Sequence, residues 1–334
     1  MTPAADVWIT AAARTAVTGR SRVQAHRDAG ELGADVVAAV TRGRAEEGVA
    51  GVVLGNCWGP GGNPARVAAL GAGLGDAVPG WTVDAQCGSG LLAVLQAAGH
   101  AALTGRPVVG GGVESASTAP ERLRDGVPYT QAPMVPRGRP DPGMTAAADA
   151  LAAARGLSRA RQEAFAARSH ALALAAAELR AAERARGQEG ASAPDDDGPR
   201  RLTPAALVRL AGGTVTGGDP ALPGIAPVAA VRAALDEVGW ALEDLAVVEV
   251  VEAYAAQALA TLDDLGLTDG DAGVDPRVNA AGGALALGHP WGASAAVALV
   301  RAVHRLQEQP PGARGLVACA VAGGMGVAAL LEVR

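Results

Sequence analysis

The most informative stretch of this chain is Val83-Asp84-Ala85-Gln86-Cys87-Gly88-Ser89-Gly90-Leu91. An apolar run, Val78 to Val83, leads into it, and an unbroken helix-forming run, Leu91 to Leu103, follows it. This order predicts a strand that passes directly into a helix, with Cys87 at the junction. The positive end of a helix dipole lowers the pKa of a thiol placed there, so the pattern indicates a nucleophile.

The glycines beside this cysteine strengthen that interpretation. Gly88 and Gly90 have no Cβ, so backbone amides in this turn can come close to a bound acyl oxygen and stabilise negative charge on it. A buried, inert cysteine is the commoner case in proteins, but the glycine-rich turn favours catalysis for Cys87. For Cys57 and Cys319 we expect unreactive thiols packed in the core.

Strand-like and helix-like segments alternate along the chain. Val7 to Thr10 and Val49 to Asn56 have the composition of strands, whereas Ala29 to Arg42 and Asn63 to Gly73 have that of helices. Such alternation predicts an α/β fold, with a parallel sheet covered by helices on both faces.

The chain also contains two similar halves. A strand, Cys87 and a helix in the first half match a strand, His289 and a helix in the second. The run Gly110-Gly111-Gly112-Val113 likewise matches Gly323-Gly324-Met325-Gly326. An internal duplication explains two matches in the same order. We predict three units: a half at 1–116 with the nucleophile, a loop and helical excursion at 117–212 with an exposed linker near 188–201, and a half at 213–334 with the histidine.

Composition excludes several classes of protein. The 334 residues carry a net charge of −6 and no basic stripe, which argues against nucleic-acid binding. No apolar run has the length of a membrane span, and the first residues lack the basic and apolar regions of a signal peptide. Three cysteines without metal-type spacing predict reduced thiols, no metal and a cytoplasmic location.

Seven motifs in a fixed order resemble the thiolase superfamily, and the acyl-CoA thiolases (acetyl-CoA acetyltransferases) in particular. They are Gly62-Asn63-Pro64-Ala65-Arg66, Gln86-Cys87-Gly88-Ser89-Gly90, Gly111-Gly112-Val113-Glu114-Ser115, Gly213-Thr214-Val215-Thr216, Glu252-Ala253-Tyr254-Ala255-Ala256-Gln257, Asn279-Ala280-Ala281-Gly282-Gly283-Ala284 with Gly288-His289-Pro290-Trp291-Gly292-Ala293-Ser294, and Gly323-Gly324-Met325-Gly326. The resemblance implies a layered αβαβα fold of two similar halves, with the second half shortened, usually assembled as a dimer or tetramer.

The resemblance also implies acyl transfer through a cysteine thioester. Cys87 would be the acylated nucleophile, His289 would activate it, and amides near Gly323 and Gly324 would help to form an oxyanion hole. Coenzyme A thioesters would be substrates, with no bound cofactor. A cysteine paired with a histidine is a competent nucleophile near neutral pH, and we expect the acylation rate to rise near pH 6–7, where an ordinary histidine titrates.

Two positions depart from the family pattern. The second catalytic cysteine of the family falls on Ala320, and Cys319 precedes it. Neighbouring side chains of a strand point to opposite faces, so Cys319 should face away from the site unless a bulge redirects it. The family's water-ordering asparagine falls on Val251, which has no polar group.

A third departure is a gap after Pro220. The family has a strand–helix–strand segment between the Thr214 motif and Gly224, and this chain has almost nothing there. We expect the last strand of the first half and the first strand of the second half to be missing.

Further residues receive two interpretations each. Met144 lines the coenzyme A channel or is structural, and Trp291, where the family has a smaller aliphatic residue, narrows the acyl pocket or fills a gap. With Val251 and Ala320 they form the candidate substrate pocket. His26, His100, His170 and His304 are interpreted as surface residues.

Three hypotheses for the function remain. The first is a thiolase-like acyltransferase of specialised metabolism. It passes the acyl group of an acyl-CoA to an acceptor, and it is not an efficient catalyst of ordinary Claisen condensation. The second is a conventional β-ketoacyl-CoA thiolase that uses a displaced Cys319. The third is a non-catalytic subunit of an active thiolase-like protein. We expect a homodimer or larger homo-oligomer for the first two and a hetero-oligomer for the third.

Overall fold

The structure is a computed structural model that describes residues 6–19, 23–43, 48–129, 132–183, 207–270 and 273–334. The linker predicted near 188–201 lies outside these residues. Among the described helices, none combines the length and the apolar character needed to cross a membrane.

The elements follow one another as the alternating pattern predicts. Up to the excursion they are β1 Val7–Ile9, α1 Ala29–Thr41, β2 Gly51–Gly55, α2 Pro64–Gly71, β3 Gly80–Val83, α3 Ser89–Thr104 and β4 Val108–Gly112. The excursion contains β5 Leu123–Arg124, β6 Val127–Pro128, α4 Met144–Ala154, α5 Arg159–Ala175 and α6 Ala177–Glu183. The rest comprises β7 Val208–Gly217, α7 Ala226–Val238, β8 Leu245–Val250, α8 Ala255–Asp264, α9 Ala284–Leu287, α10 Trp291–Leu306, β9 Arg314–Val321 and β10 Met325–Val333.

Two sheets and three helical layers form the body of the molecule. One sheet has the order β3-β2-β4 and is parallel, and the other has the order β1-β7-β10-β9-β8. Helices α1 and α2 cover the outer face of the first sheet, and α7 and α8 pack outside the second. Helices α3 and α10 lie between the sheets and contact each other. The predicted αβαβα layering is confirmed.

Local sequence explains where the helices begin. The Asp28 side chain accepts a hydrogen bond from the Glu31 amide, and the Glu31 carboxylate accepts one from the Asp28 amide, a capping box that starts α1. Asn63 caps α2 in front of Pro64, whose missing N–H costs nothing in a first turn. These caps fix where the two helices begin.

Small residues let the two central helices approach closely. A Cβ added at Gly90 of α3 would lie 2.8 Å from the carbonyl oxygen of Gly292 in α10. That distance is shorter than any real Cβ contact, so glycine is required at this crossing. As a result the N-terminal ends of α3 and α10, which carry the two halves' candidate catalytic residues, meet in the middle of the molecule.

The gap predicted after Pro220 affects the sheets differently from what the sequence suggested. Strand β7 pairs antiparallel with β10 from Val208 opposite Val333 to Gly217 opposite Met325. The first strand of the second half is therefore present, and the expectation that it is missing is wrong. The Thr214 motif lies within this strand. The sheet of the first half ends at β4, and β1 pairs with the outer edge of β7.

Candidate active site

Cys87 lies in a single 3₁₀ turn, Gln86–Gly88, directly before α3. Gln86 has φ of +49°, an uncommon backbone conformation for a residue other than glycine. Hydrogen bonds hold this turn: the Gln86 amide donates to Asp84 Oδ1 at 3.0 Å, and Ser89 Oγ donates to the Gln86 carbonyl at 2.5 Å. A strained residue next to a nucleophile, held by several bonds, is typical of a preorganised catalytic turn.

Burial outweighs the helix dipole at the Cys87 thiol. Desolvation raises its pKa to about 12, and the Glu114 carboxylate raises it further, against a lowering by the backbone amide of Cys87 itself. The sequence predicted a lowered pKa from the dipole alone, and that expectation is wrong because burial dominates. Cys87 therefore rests as a neutral thiol, and the predicted role as a nucleophile requires a proton acceptor.

His289 lies in the turn between α9 and α10, and one of its ring nitrogens is already bonded. Nδ1 is 2.7 Å from Ser294 Oγ, one turn into α10. Among the described residues, Nε2 has no hydrogen-bond partner. Burial lowers the pKa of the imidazole to about 4, so the ring is neutral at physiological pH. A neutral ring with a free nitrogen can accept a proton.

The two candidate catalytic residues lie on neighbouring segments. The start of α10 packs against the Gln86–Gly88 turn and against Gly90. In the described part of the chain no hydrogen bond joins the Cys87 thiol to the His289 ring. Their pairing as nucleophile and base therefore stays a prediction, supported by the contact between the two segments.

Glu114, which sequence reasoning treated only as part of a motif, holds these segments together. Its buried carboxylate accepts hydrogen bonds from the Asn56 side chain and from the amides of Cys57, Trp58 and Gly292. The Cys57 thiol also donates to it at 3.1 Å. Glu114 thus joins the end of β2 to the first turn of α10. The sequence feature that could have identified Glu114 is its position shortly after the glycines of β4.

The Cys319 side chain lies next to the Gln86–Gly88 turn. Its Sγ donates to the carbonyl oxygen of Cys87 at 3.3 Å and to that of Ala320 at 3.2 Å. The β9–β10 register is unbroken here, with Cys319 opposite Val327. The expectation that Cys319 faces away without a bulge is therefore wrong. Burial raises the pKa of its thiol well above the ordinary value, so it rests protonated.

The other predicted site residues differ in their position relative to Cys87. Ala320 is opposite Gly326 and projects from the other face of β9. Val251 is buried in the same apolar cluster as Cys319, against which Cys87 packs. Met144 begins α4, whose next residue, Thr145, is 2.9 Å from the Tyr254 hydroxyl.

The turn between β9 and β10 requires its glycines. Gly323 and Gly324 have φ of +81° and +78°. A Cβ at Gly324 would lie 2.6 Å from the backbone of Asp219. The oxyanion role of these two amides stays a prediction.

Two tryptophans meet beside the site. The rings of Trp58 and Trp291 have centroids 5.5 Å apart, and the Arg122 guanidinium lies 4.1 Å from the Trp58 ring centroid. Arg122 also donates to the Cys57 carbonyl. These contacts attach the excursion to the end of β2, next to Trp291.

Comparisons with known proteins agree with this architecture. The chain matches the model of the thiolase N-terminal domain over residues 7–220 and that of the thiolase C-terminal domain over residues 204–333. It is 36% identical to the acetyl-CoA acetyltransferase of Chromobacterium violaceum and 35% identical to that of Pseudomonas aeruginosa, with 98% of this chain and 99% of each relative covered. The crystal structure of the Bacillus anthracis acetyl-CoA acetyltransferase superposes with a TM-score of 0.82 at 29% identity, covering 98% of this chain and 99% of that chain.

Proposed function

The chain belongs to the thiolase family, and from that premise we propose that it is an acyl-CoA C-acyltransferase that works through an acyl thioester on Cys87. The observation that carries the proposal is the Cys87 turn, strained at Gln86 and packed against the segment that begins with His289. The similarity to acetyl-CoA acetyltransferases over almost the whole chain supports the same reaction class.

In the first half-reaction Cys87 Sγ attacks the thioester carbonyl carbon of an acyl-CoA. The thiol proton passes to Nε2 of His289, and the bond between the carbonyl carbon and the coenzyme A sulfur breaks. The coenzyme A thiolate leaves with the proton that His289 returns, so the products are the acyl-enzyme and free coenzyme A. Backbone amides aimed at the carbonyl oxygen stabilise the charge that develops on it.

In the second half-reaction the acyl group passes to the α-carbon of a second acyl-CoA, such as acetyl-CoA. A base removes the α-proton, and the resulting carbanion attacks the acyl carbon. The bond between that carbon and Cys87 Sγ breaks, and the Cys87 thiolate takes up the proton that the base returns. The Cys319 thiol supports this assignment because it lies 3.3 Å from the Cys87 carbonyl oxygen. It is the cysteine nearest to the family's second catalytic position, Ala320.

A second candidate function is acyl transfer to an acceptor that needs no carbon acid chemistry, such as an amine or an alcohol. Val251 and Ala320 favour it, because neither side chain can order a water or move a proton. In this case Cys319 is a structural thiol. Both candidates share the first half-reaction and differ only in the acceptor.

Intact-protein mass spectrometry tests the shared step. Incubation with acetyl-CoA and longer acyl-CoAs should add the mass of the acyl group to the native protein and nothing to the Cys87→Ala variant. A folded native protein that takes up no acyl group from any donor would contradict both candidates and favour the non-catalytic subunit. Formation of acetoacetyl-CoA from acetyl-CoA would then separate carbon–carbon transfer from transfer to a heteroatom acceptor.

A further inference from the structure

The sheet of the first half stops one strand short of its counterpart. Strand β4 corresponds to β9 in the duplication, and β9 is followed by the antiparallel β10, which lies between β9 and β7. Within the described residues no strand lies beyond β4, and β1 is attached to β7 instead. One long edge of β4 therefore has no strand partner among the residues that the structure describes.

A cavity of about 810 Å³ lies where that strand would be. It extends between β1 and β4, with α1 on one side and α3 and α10 on the other. Its walls are mostly apolar, and they include Val36, Val40, Val94, Ala97, Val297 and Val300. Ligand sites of about 300–1,000 Å³ with apolar walls are the usual size for small organic molecules.

The cavity reaches the candidate catalytic histidine. His289 and its neighbours Gly288, Pro290 and Trp291 belong to its lining, and so does Arg106 near the opposite, amino-terminal end of β4. Five residues of extended strand span about 17 Å at roughly 3.3 Å each. The space is thus elongated, and one end of it lies at His289, which accepts the Cys87 proton in the proposed function.

We propose that this cavity binds the long, largely apolar chain of an acyl substrate whose reacting carbonyl lies beside His289. An acetyl group would leave most of the cavity to water in contact with valine and alanine side chains. All five residues of β4 are half-buried, so water can reach the free edge of the strand and a chain that displaces it gains apolar contact. The statement that the carbonyl beside His289 is the reacting one rests on the proposed function. The binding of the apolar chain in the cavity does not.

Direct binding tests the proposal without any turnover. Calorimetry measures the Kd of acetyl-, butyryl-, hexanoyl- and octanoyl-CoA for the Cys87→Ala protein, which forms no acyl-enzyme. The expected Kd falls about fourfold for each added methylene group that enters the cavity. A Kd that stays constant within about twofold along the series would overturn the proposal, whether or not the native protein forms an acyl-enzyme.

Filled variants locate the chain in this cavity. Val36→Trp on α1 and Val300→Trp on α10 fill it from opposite walls, and Leu103→Trp, on α3 and 83% exposed, is the matched control outside it. We expect both filled variants to raise the Kd of octanoyl-CoA about tenfold, with the Kd of acetyl-CoA unchanged, and the control to change neither. Unchanged octanoyl-CoA binding in the filled variants, with melting curves that show folded protein, would place the chain elsewhere and overturn the assignment.

Either substrate of the transfer can carry such a chain, and the native protein distinguishes them. Octanoyl transfer to Cys87 that is faster than acetyl transfer assigns the cavity to the acyl donor. Acetyl transfer alone, with octanoyl-CoA binding to the acetylated protein, assigns it to the acceptor. If neither acyl group reaches Cys87 but the chain-length dependence of the Kd holds, the binding site stands and the proposed function fails.

Discussion

Burial keeps both candidate catalytic groups neutral. The pKa of the Cys87 thiol is raised to about 12 and that of the His289 imidazole is lowered to about 4, each chiefly by desolvation. A resting thiolate–imidazolium pair is therefore disfavoured, and proton transfer must accompany the attack on the thioester. Bound substrate can alter both values by excluding water and by contributing its own dipoles.

This state has a consequence for the pH dependence of acylation. A base acts when it is deprotonated, and a pKa of about 4 leaves His289 deprotonated at every pH above about 5. We expect kcat/KM for acylation of Cys87 to be level between pH 6 and 8 and to fall only as the pH approaches 4. Stopped-flow or quench-flow measurement of coenzyme A release across pH 4–9 checks this.

A different pH profile would contradict this expectation. A rise centred at pH 6–7, as the sequence alone predicts, would show that the imidazole keeps its ordinary pKa and is accessible to water. Ser294→Ala is the companion variant, because it removes the partner of Nδ1 at 2.7 Å and leaves the rest of the turn unchanged. It should lower kcat about 10-fold or more by freeing the ring to rotate.

Replacement of Cys319 separates the two acceptor chemistries. Cys319→Ala removes a thiol that bonds the Cys87 carbonyl, and its small volume change suits a buried site. If Cys319 moves the proton in carbon–carbon transfer, acetoacetyl-CoA formation should fall about 10²-fold or more while acylation of Cys87 stays within about threefold. Equal loss in both steps would indicate a structural role, and no loss in either would assign the proton transfer to another group.

Residue identity alone predicted part of this site. The turn around Cys87 and the Gly288-His289-Pro290 element were visible because glycines mark sharp backbone turns. The direction of the Cys319 side chain was not, because it depends on how β9 lies against the Cys87 turn. His304 was interpreted as a surface residue, yet it is buried and lies 3.2 Å from the Ala12 carbonyl, because α10 is covered on both sides.

Among the elements, the end of β2 and the start of α10 are joined by one carboxylate, that of Glu114. Glu114 bonds the amides of Cys57 and Trp58 after β2 and that of Gly292 at the start of α10. Backbone amides at a helix start point toward such a group, and charge-assisted bonds of this kind are shorter and stronger than neutral ones. The position of His289, three residues before Gly292, follows from this contact.

Glu114→Gln should therefore loosen the start of α10. The amide side chain keeps the shape but loses the charge and presents an NH₂ group to donors, so we expect the free energy of unfolding to fall by about 1.5–3 kcal/mol. Urea denaturation measures it, with the exposed Glu121→Gln as the control, expected within about 0.5 kcal/mol of the parent. A change no larger than that of the control would mean that the segment is held by packing alone.

The strands show where sequence periodicity stops being informative. Strand β7, the first strand of the second half, was expected to be missing, because the motif at Thr214 was assigned to the segment before the gap. The sequence of this segment is typical of a strand, but it does not show which strand it pairs with. In the structure β7 pairs with the edge of β10 that β9 leaves open. Only the three-dimensional pairing shows that, in the described part of the chain, the sheet of the first half and not that of the second is short of a strand.

At the scale of the whole molecule, one buried carboxylate ties the excursion to the central layer and to the N-terminal segment. Glu183, at the end of α6 and fully buried, bonds Arg14 Nε at 2.7 Å and Arg301 Nε of α10 at 3.2 Å. The Arg14 amide also donates to the Glu183 carbonyl. Arg14 belongs to the lining of the cavity, so this network also fixes one of its walls.

Glu183→Ala should weaken the fold as a whole, because it leaves two buried guanidinium groups without their shared anion. Breaking a buried ion pair by removing one partner costs about 3–5 kcal/mol, and we expect a loss of that size in the free energy of unfolding. Glu163→Ala, whose partner Arg159 is also exposed, should cost no more than about 0.5 kcal/mol. Limited proteolysis adds a local readout, since release of the N-terminal segment should expose the chain near Arg14 to trypsin. A Glu183→Ala protein as stable and as protease-resistant as the Glu163→Ala control would show that packing of α6, and not this charge, holds the three parts together.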